Sequence, residues 1–291
     1  MRYKIRHITA YNYQESVHNC YNIAILAPNS SERQTCHFND IYLNPYPSTA
    51  VSHRDYFGNS LFQFDIQKPH KQLTITSESE VEVHEPVIQP SPNLTIKEVK
   101  DCLLHRKDTP SLLAREYLLN STMIKQHARF KAYAETELND DRPYHEALIA
   151  LNHKIFTEFI YDPAFTSIAT PLSEVLEHKR GVCQDFAHLA ICCLRSCGLP
   201  ARYISGYIET LPPPGQKKLR GVDATHAWIS YYCPDSGWVD IDPTNDTLIN
   251  HQYIVTAIGR DFADVTPLKG VIFGGGTMPD LKVSVDVARI K

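Results

Sequence analysis

The stretch Lys179-Arg180-Gly181-Val182-Cys183-Gln184-Asp185-Phe186-Ala187-His188 decides how the rest of the chain is read. It reads as a tight turn that opens a buried helix with a cysteine in its first turn. Gly181 permits a close approach that a residue with a Cβ would resist. Beyond it, Phe186, Ala190, Cys193, Leu194 and Cys197 recur at helical spacing and form one apolar stripe. Gly198, followed by Leu199-Pro200, ends the helix, because glycine tolerates a left-handed cap and proline cannot continue the hydrogen-bond ladder. Cys183 is thereby placed at a helix N-terminus. Unpaired backbone N–H groups and the helix dipole favour an anion there, which raises a thiol's thiolate fraction.

Downstream of this helix the period changes to two. Residues 202–208 read as a strand. Two more, 226–232 and 238–242, flank Cys233-Pro234-Asp235-Ser236-Gly237, a hairpin turn. If Tyr232 faces Trp238, then Trp228 faces Asp242, and His226 lies diagonally from Asp242 on the same face. Diagonal neighbours sit about 7–8 Å apart at the backbone, within reach of a His–carboxylate bond. Asp240 shares that face and is the rival partner. Asp242 is preferred on reach, because it ends its strand before Pro243-Thr244-Asn245. With Cys183 beside this imidazole, nucleophile, base and orienter are all present.

Other cysteines and histidines read as structural. Free cysteines are usually core filler, which is the expectation for Cys192, Cys193 and Cys197. His188 and Cys192 are four apart but lack a second pair, and His145 and His153 are eight apart, so no metal site is expected. Gly274-Gly275-Gly276 reads as a turn, since no Gly-Lys-Ser/Thr follows it. Both tryptophans, Trp228 and Trp238, fall in the hairpin, where they either pack or shield the ion pair from water.

Residues 1–88 read as β structure, in short alternating or β-branched runs at 3–11, 61–66, 73–76 and 81–83. Turn signals separate them, and the spacing suggests a sandwich of antiparallel sheets. Nothing in this half looks catalytic. A Pro-, Ser- and Asn-rich linker is set at 89–95. A core of residues 96–291 follows, with helical periodicity at 96–104, 112–119, 144–159 and 173–177, and a last strand at 281–288. In 291 residues, 43% are apolar and 21% charged, enough for a sizeable core. The net charge, 29 minus 33, is −4 with no basic block, which argues against nucleic acid as partner. No apolar run is long enough for a membrane span, and no signal peptide is expected at the N-terminus. Eight scattered cysteines without a CxxC pair suggest reduced thiols in a cytoplasmic protein.

Three segments in order, Gly181-Val182-Cys183-Gln184-Asp185-Phe186-Ala187, Asp223-Ala224-Thr225-His226-Ala227-Trp228 and Trp238-Val239-Asp240-Ile241-Asp242-Pro243-Thr244, resemble the core motifs of the transglutaminase-like superfamily. Tyr56-Phe57-Gly58-Asn59 resembles the β-rich region that precedes this core in bacterial members. The resemblance implies a papain-like α+β core with Cys183 on the helix and His226 and Asp242 on the sheet. It also implies amide-bond chemistry through a thioester, with the Cys183 backbone N–H helping to bind the oxyanion. Gln184 stands where the animal enzymes carry a tryptophan, and it receives no role. The expected substrate is a peptide or protein, and no cofactor is expected. Hydrolysis is the expected outcome. Protein crosslinking, deglycosylation and an inactive scaffold with the same fold are the alternatives.

Overall fold

The computed structural model describes residues 1–84, 94–167, 170–210 and 225–290. Its first five elements are strands: β1 (Arg2–Ala27), β2 (Gln34–Asn44), β3 (Thr49–Arg54), β4 (Ser60–Ile66) and β5 (His70–Val83). Their alternation is that of a half-buried sheet. In β1, Tyr3, Ile5, His7 and Thr9 point inward while Arg2, Lys4 and Arg6 point outward. Then come α1 (Ile96–His105), α2 (Thr109–Glu116), α3 (Ala128–Ala134), α4 (Tyr144–Glu158), β6 (Ile160–Tyr161), α5 (Leu172–His178), β7 (Arg180–Gly181) and α6 (Cys183–Ser196). The chain finishes with β8 (Ala201–Ile208), β9 (Thr225–Cys233), β10 (Gly237–Asp242), β11 (Thr247–Leu248), β12 (Tyr253–Gly259), α7 (Phe262–Val265), β13 (Leu268–Gly274) and β14 (Asp280–Ile290).

The α+β core and the β-rich first half expected from the sequence are both present. The core sheet has five strands in the order β11-β10-β9-β8-β12. Against it lies α6, which also touches α3, α4 and α5. The sequence suggested one apolar stripe on this helix, but it is buried from Asp185 through Arg195, because helices cover it as well as the sheet. Arg195 is tolerated there because its guanidinium donates to four carbonyls or hydroxyls: Ala201, Leu119 and Arg260 C=O and Ser121 Oγ.

The first half differs from the expected sandwich of short strands in its connectivity. It is one curled seven-stranded sheet, and β1 alone runs for 26 residues. β4 and β5 pair with β1 in turn, from Ala27↔Ser60 down to Arg2↔Glu82. The terminal strands, which the sequence reading kept with residues 96–291, belong to this sheet. β13 pairs with Val17–Ala24 and β14 with Arg2–Asn12. Between them Gly274, Gly275 and Gly276 all have positive φ, which makes the expected turn. Most of the linker expected at 89–95 lies outside the described residues. Thr95 itself caps α1, accepting from the Glu98 N–H. Tyr3, Ile5, Val81, Val83, Val285 and Val287 of the curled sheet pack on Tyr207 and Ile254 of the core sheet, which joins the two units. Among the described residues no helix is long and apolar enough to cross a membrane.

Candidate active site

The helix start is built as the sequence suggested. Val182 is extended, and Cys183 is the first helical residue and half-buried. Asp185, three residues beyond Val182, turns back so that its Oδ2 accepts the Val182 N–H at 2.8 Å. This needs Gly181, because a Cβ there would stand 2.8 Å from Asp185 Cβ. Burial raises the Asp185 carboxyl's pKa, opposed by the bonds from Val182 and Thr166. Immediately before, Tyr161 pairs with Gly181 in the short parallel β6–β7 ladder, which fixes how the chain enters the helix.

The hairpin register is the expected one, with Trp238↔Tyr232 through Ile241↔Ile229. It brings His226 Nε2 to 2.7 Å from Asp242 Oδ2. Asp242 is 0% exposed, so its charge depends on its partners. Oδ2 also accepts from Tyr253 Oη at 2.8 Å and Asn245 Nδ2 at 2.6 Å. Oδ1 accepts the backbone N–H of Thr244 at 2.8 Å and of Asn245 at 3.3 Å. Burial works against ionisation, but His226, Asn245 and Tyr253 together hold the carboxyl below its ordinary pKa. Asp240, the rival, instead accepts from Trp228 Nε1 at 3.4 Å.

His226 is pulled the other way from most buried histidines. Burial disfavours its cation, yet its hydrogen bonds to Asp242 and Cys183, and their charges, push its pKa up to about 10. With Nε2 occupied by Asp242, Nδ1 is the nitrogen left to meet the Cys183 thiol. Trp228, fully buried, stacks on the imidazole at 6.1 Å between centroids and shields the pair. Trp238 serves elsewhere, under the Arg202 guanidinium and against Tyr117. The structure therefore gathers Cys183, His226 and Asp242 into one site. A thiol, an imidazole and a buried carboxylate in that order can ionise a nucleophile and carry its proton. Among the described residues, no three His, Cys, Asp or Glu side chains converge as a metal site.

Three contributors were missed from the sequence. Tyr253 lies on β12, a strand the sequence reading left within a mixed tail. Asn245 follows the Asp-Pro-Thr turn and could have been read from its Asx-like position. Gly206, opposite His226 on β8, leaves room for Trp228: a Cβ there would meet Trp228 Cη2 at 2.5 Å and Ile254 O at 2.1 Å.

A family model described as the bacterial transglutaminase-like N-terminal region matches residues 3–82, and one described as the transglutaminase-like superfamily matches residues 131–243. An uncharacterised protein of Mycobacterium tuberculosis is 40% identical over 98% of this chain and 92% of its own length. A protein-glutamine gamma-glutamyltransferase of Pseudomonas aeruginosa is 32% identical over 40% of this chain and 18% of its own length. Among solved structures, a candidate cysteine protease from Cytophaga hutchinsonii shares the fold, with a TM-score of 0.80 over 100% of this chain and 92% of that one at 18% identity.

Proposed function

Because the chain belongs to the transglutaminase-like superfamily, we propose that it is a cysteine-dependent enzyme acting on amide or peptide bonds through a thioester. Cys183 is the nucleophile, His226 the acid–base and Asp242 its orienter. The observation that carries this reading is the His226–Asp242 pair at 2.7 Å, 0% exposed at the carboxylate, with Cys183 against the imidazole. The Cys183 sulfur attacks the carbonyl carbon as its proton passes to His226. First-turn N–H groups of α6, that of Cys183 first, receive the developing oxyanion. The tetrahedral intermediate collapses, His226 gives its proton to the departing amine, and a thioester remains. Water, deprotonated by His226, attacks the thioester carbon; the C–S bond breaks, the acid is released, and the Cys183 sulfur regains its proton from His226.

The substrate in this reading is a peptide or protein. It needs neither nucleic acid, nor membrane, nor cofactor, and the proposed compartment is the cytosol. Hydrolysis is favoured because no motif in the sequence specifies a lysine-donor site. Transfer to an amine is the second reading, supported by the Pseudomonas aeruginosa glutamyltransferase that matches 122 residues. Profiling glutamine-containing peptides and simple amides with and without a primary amine separates the two. Free acid as the main product in both conditions supports hydrolysis, and an amine adduct supports transfer. Turnover that survives in Cys183→Ala ends the cysteine mechanism altogether.

A further inference from the structure

β12 is the outer strand of the core sheet, and its free edge meets the curled N-terminal sheet. The register along β8 shifts between Val255 and Ala257, a bulge. Val255 and Ile258 therefore turn both backbone groups away from β8, where an exposed edge would leave them unpaired. Two side-chain amides answer them. Gln34 Nε2 donates to Val255 C=O at 2.7 Å while its Oε1 accepts the Val255 N–H at 2.8 Å. Asn59 makes the same two bonds to Ile258, each 2.8 Å. Both side chains are 0% exposed. Each amide stands in for a peptide group of a strand that is not there. Next to Gln34, Arg33 donates to Asn250 C=O, in the turn that leads into β12. β12 begins at Tyr253, whose hydroxyl holds Asp242.

We propose that Gln34 and Asn59, with Arg33, are positioning residues for the active site: they fix β12, β12 fixes Tyr253, and Tyr253 holds Asp242 on His226. The inference rests on the triad proposed above, and it makes the N-terminal sheet part of the catalytic apparatus. It also explains why Asn59 of the Tyr56-Phe57-Gly58-Asn59 segment is fully buried although it touches no reacting atom. Bidentate amide pairing fixes both the height and the tilt of a strand, which a purely apolar contact does not. An error of about 1 Å at Tyr253 would release one of the three bonds on Asp242 Oδ2, and catalytic geometry is sensitive to displacements of that size.

The test reads the imidazole directly and needs no turnover, so the absence of amide hydrolysis would leave it intact. Among the described residues, Cys183 from α6, Asp242 from the end of β10, Asn245 from the turn after it and Tyr253 from β12 are the titratable and polar groups that face His226. Arg33 bears on Tyr253 and Asp240 by its charge. His226 is followed by NMR titration of the full chain labelled with 13C-histidine, and assigned by its loss in His226→Gln. Gln34→Met removes both bonds to Val255 at similar volume. The expected result is a midpoint lower than wild type by one pH unit or more, a tenfold loss in proton affinity, with Tyr253→Phe moving the same way. Gln34→Glu keeps the acceptor for the Val255 N–H and should shift it less. Should Gln34→Met fail to fold, Gln34→Glu and Asn59→Asp carry the measurement. An unchanged His226 midpoint in folded variants, with only the melting temperature reduced, would show that these amides merely seal a seam and overturns the proposal.

Discussion

Two buried histidines, one at the mouth of β9 and one in the middle of α6, have nearly the same exposure and opposite chemistry. His226 is 9% exposed and its pKa is pushed up to about 10; His188 is 4% exposed and its pKa is lowered to about 4. Burial penalises the cation at both sites. At His226 a carboxylate at 2.7 Å and the thiol outweigh that penalty. At His188 the ring nitrogen Nε2 instead accepts the Phe262 N–H at 3.1 Å, a bond that protonation would break. Asp261 favours the His188 cation and the buried Arg195 opposes it, and burial prevails. Depth alone therefore does not make a histidine functional. What the second nitrogen meets decides whether the ring is a charged participant or a neutral cross-link.

The largest test of this contrast is to remove each ring. His226→Ala should lower the turnover of the folded protein on the order of 10²- to 10⁴-fold, as expected for loss of an acid–base group, and should also lower its melting temperature, because the buried Asp242 carboxylate loses its partner. His188→Ala should cost stability alone. The folded protein keeps turnover within a few-fold, while stability falls by about 1–3 kcal/mol because a buried N–H loses its acceptor. Comparable losses of turnover in both would erase the distinction. Next in size is Asp242→Asn. It should leave measurable activity, and the alkaline limb of kcat/KM should move to lower pH, because the folded-state elevation of His226 depends on that carboxylate. An unmoved limb would transfer the orienting role to another residue.

The pH dependence of stability sharpens the comparison further. His226 has a folded pKa above its unfolded value of about 6.5, so its contribution is complete below that value and fades as pH rises toward about 10. His188, depressed to about 4, contributes fully above about 6.5 and loses that contribution as pH falls toward 4. His7, also lowered to about 4 by burial, adds to the acid limb. Urea midpoints measured from pH 4 to 10 should show both limbs. His226→Gln should flatten only the alkaline one and His188→Gln only the acid one. The smallest expected effect concerns two thiols on one helix. Burial raises the Cys192 pKa to about 12, and its sulfur donates to Lys125 C=O. Iodoacetamide at neutral pH should therefore label Cys183 at least about tenfold faster in the folded chain. Equal rates would favour an inert scaffold.

Much of the site was legible because its parts are local. Gly181 directly precedes the turn into the helix that Cys183 opens, and the hairpin's period of two sets His226 against Asp242 once Tyr232 is paired with Trp238. The supports were illegible because nothing in the nearby sequence points to them. Tyr253 lies outside the recognised hairpin, and its strand reads as an ordinary apolar run. Gly206 looks like any strand glycine until Trp228 and Ile254 are placed beside it. Gln34 and Asn59 lie in a half of the chain that carried no catalytic sign, and their partners are 221 and 199 residues away.

The sequence by itself determined the helix that opens at Cys183, the hairpin that pairs His226 with Asp242, the α+β class and the resemblance to one superfamily. Each of these rests on periodicity or on residues close along the chain. Only the tertiary structure decided that β13 and β14 close the N-terminal sheet, that Asp240 is occupied by Trp228, and that β12 is held from across the molecule by two amides. Pairing at a strand edge is made by backbone groups that every residue carries, so side-chain pattern cannot announce which distant segment will meet them.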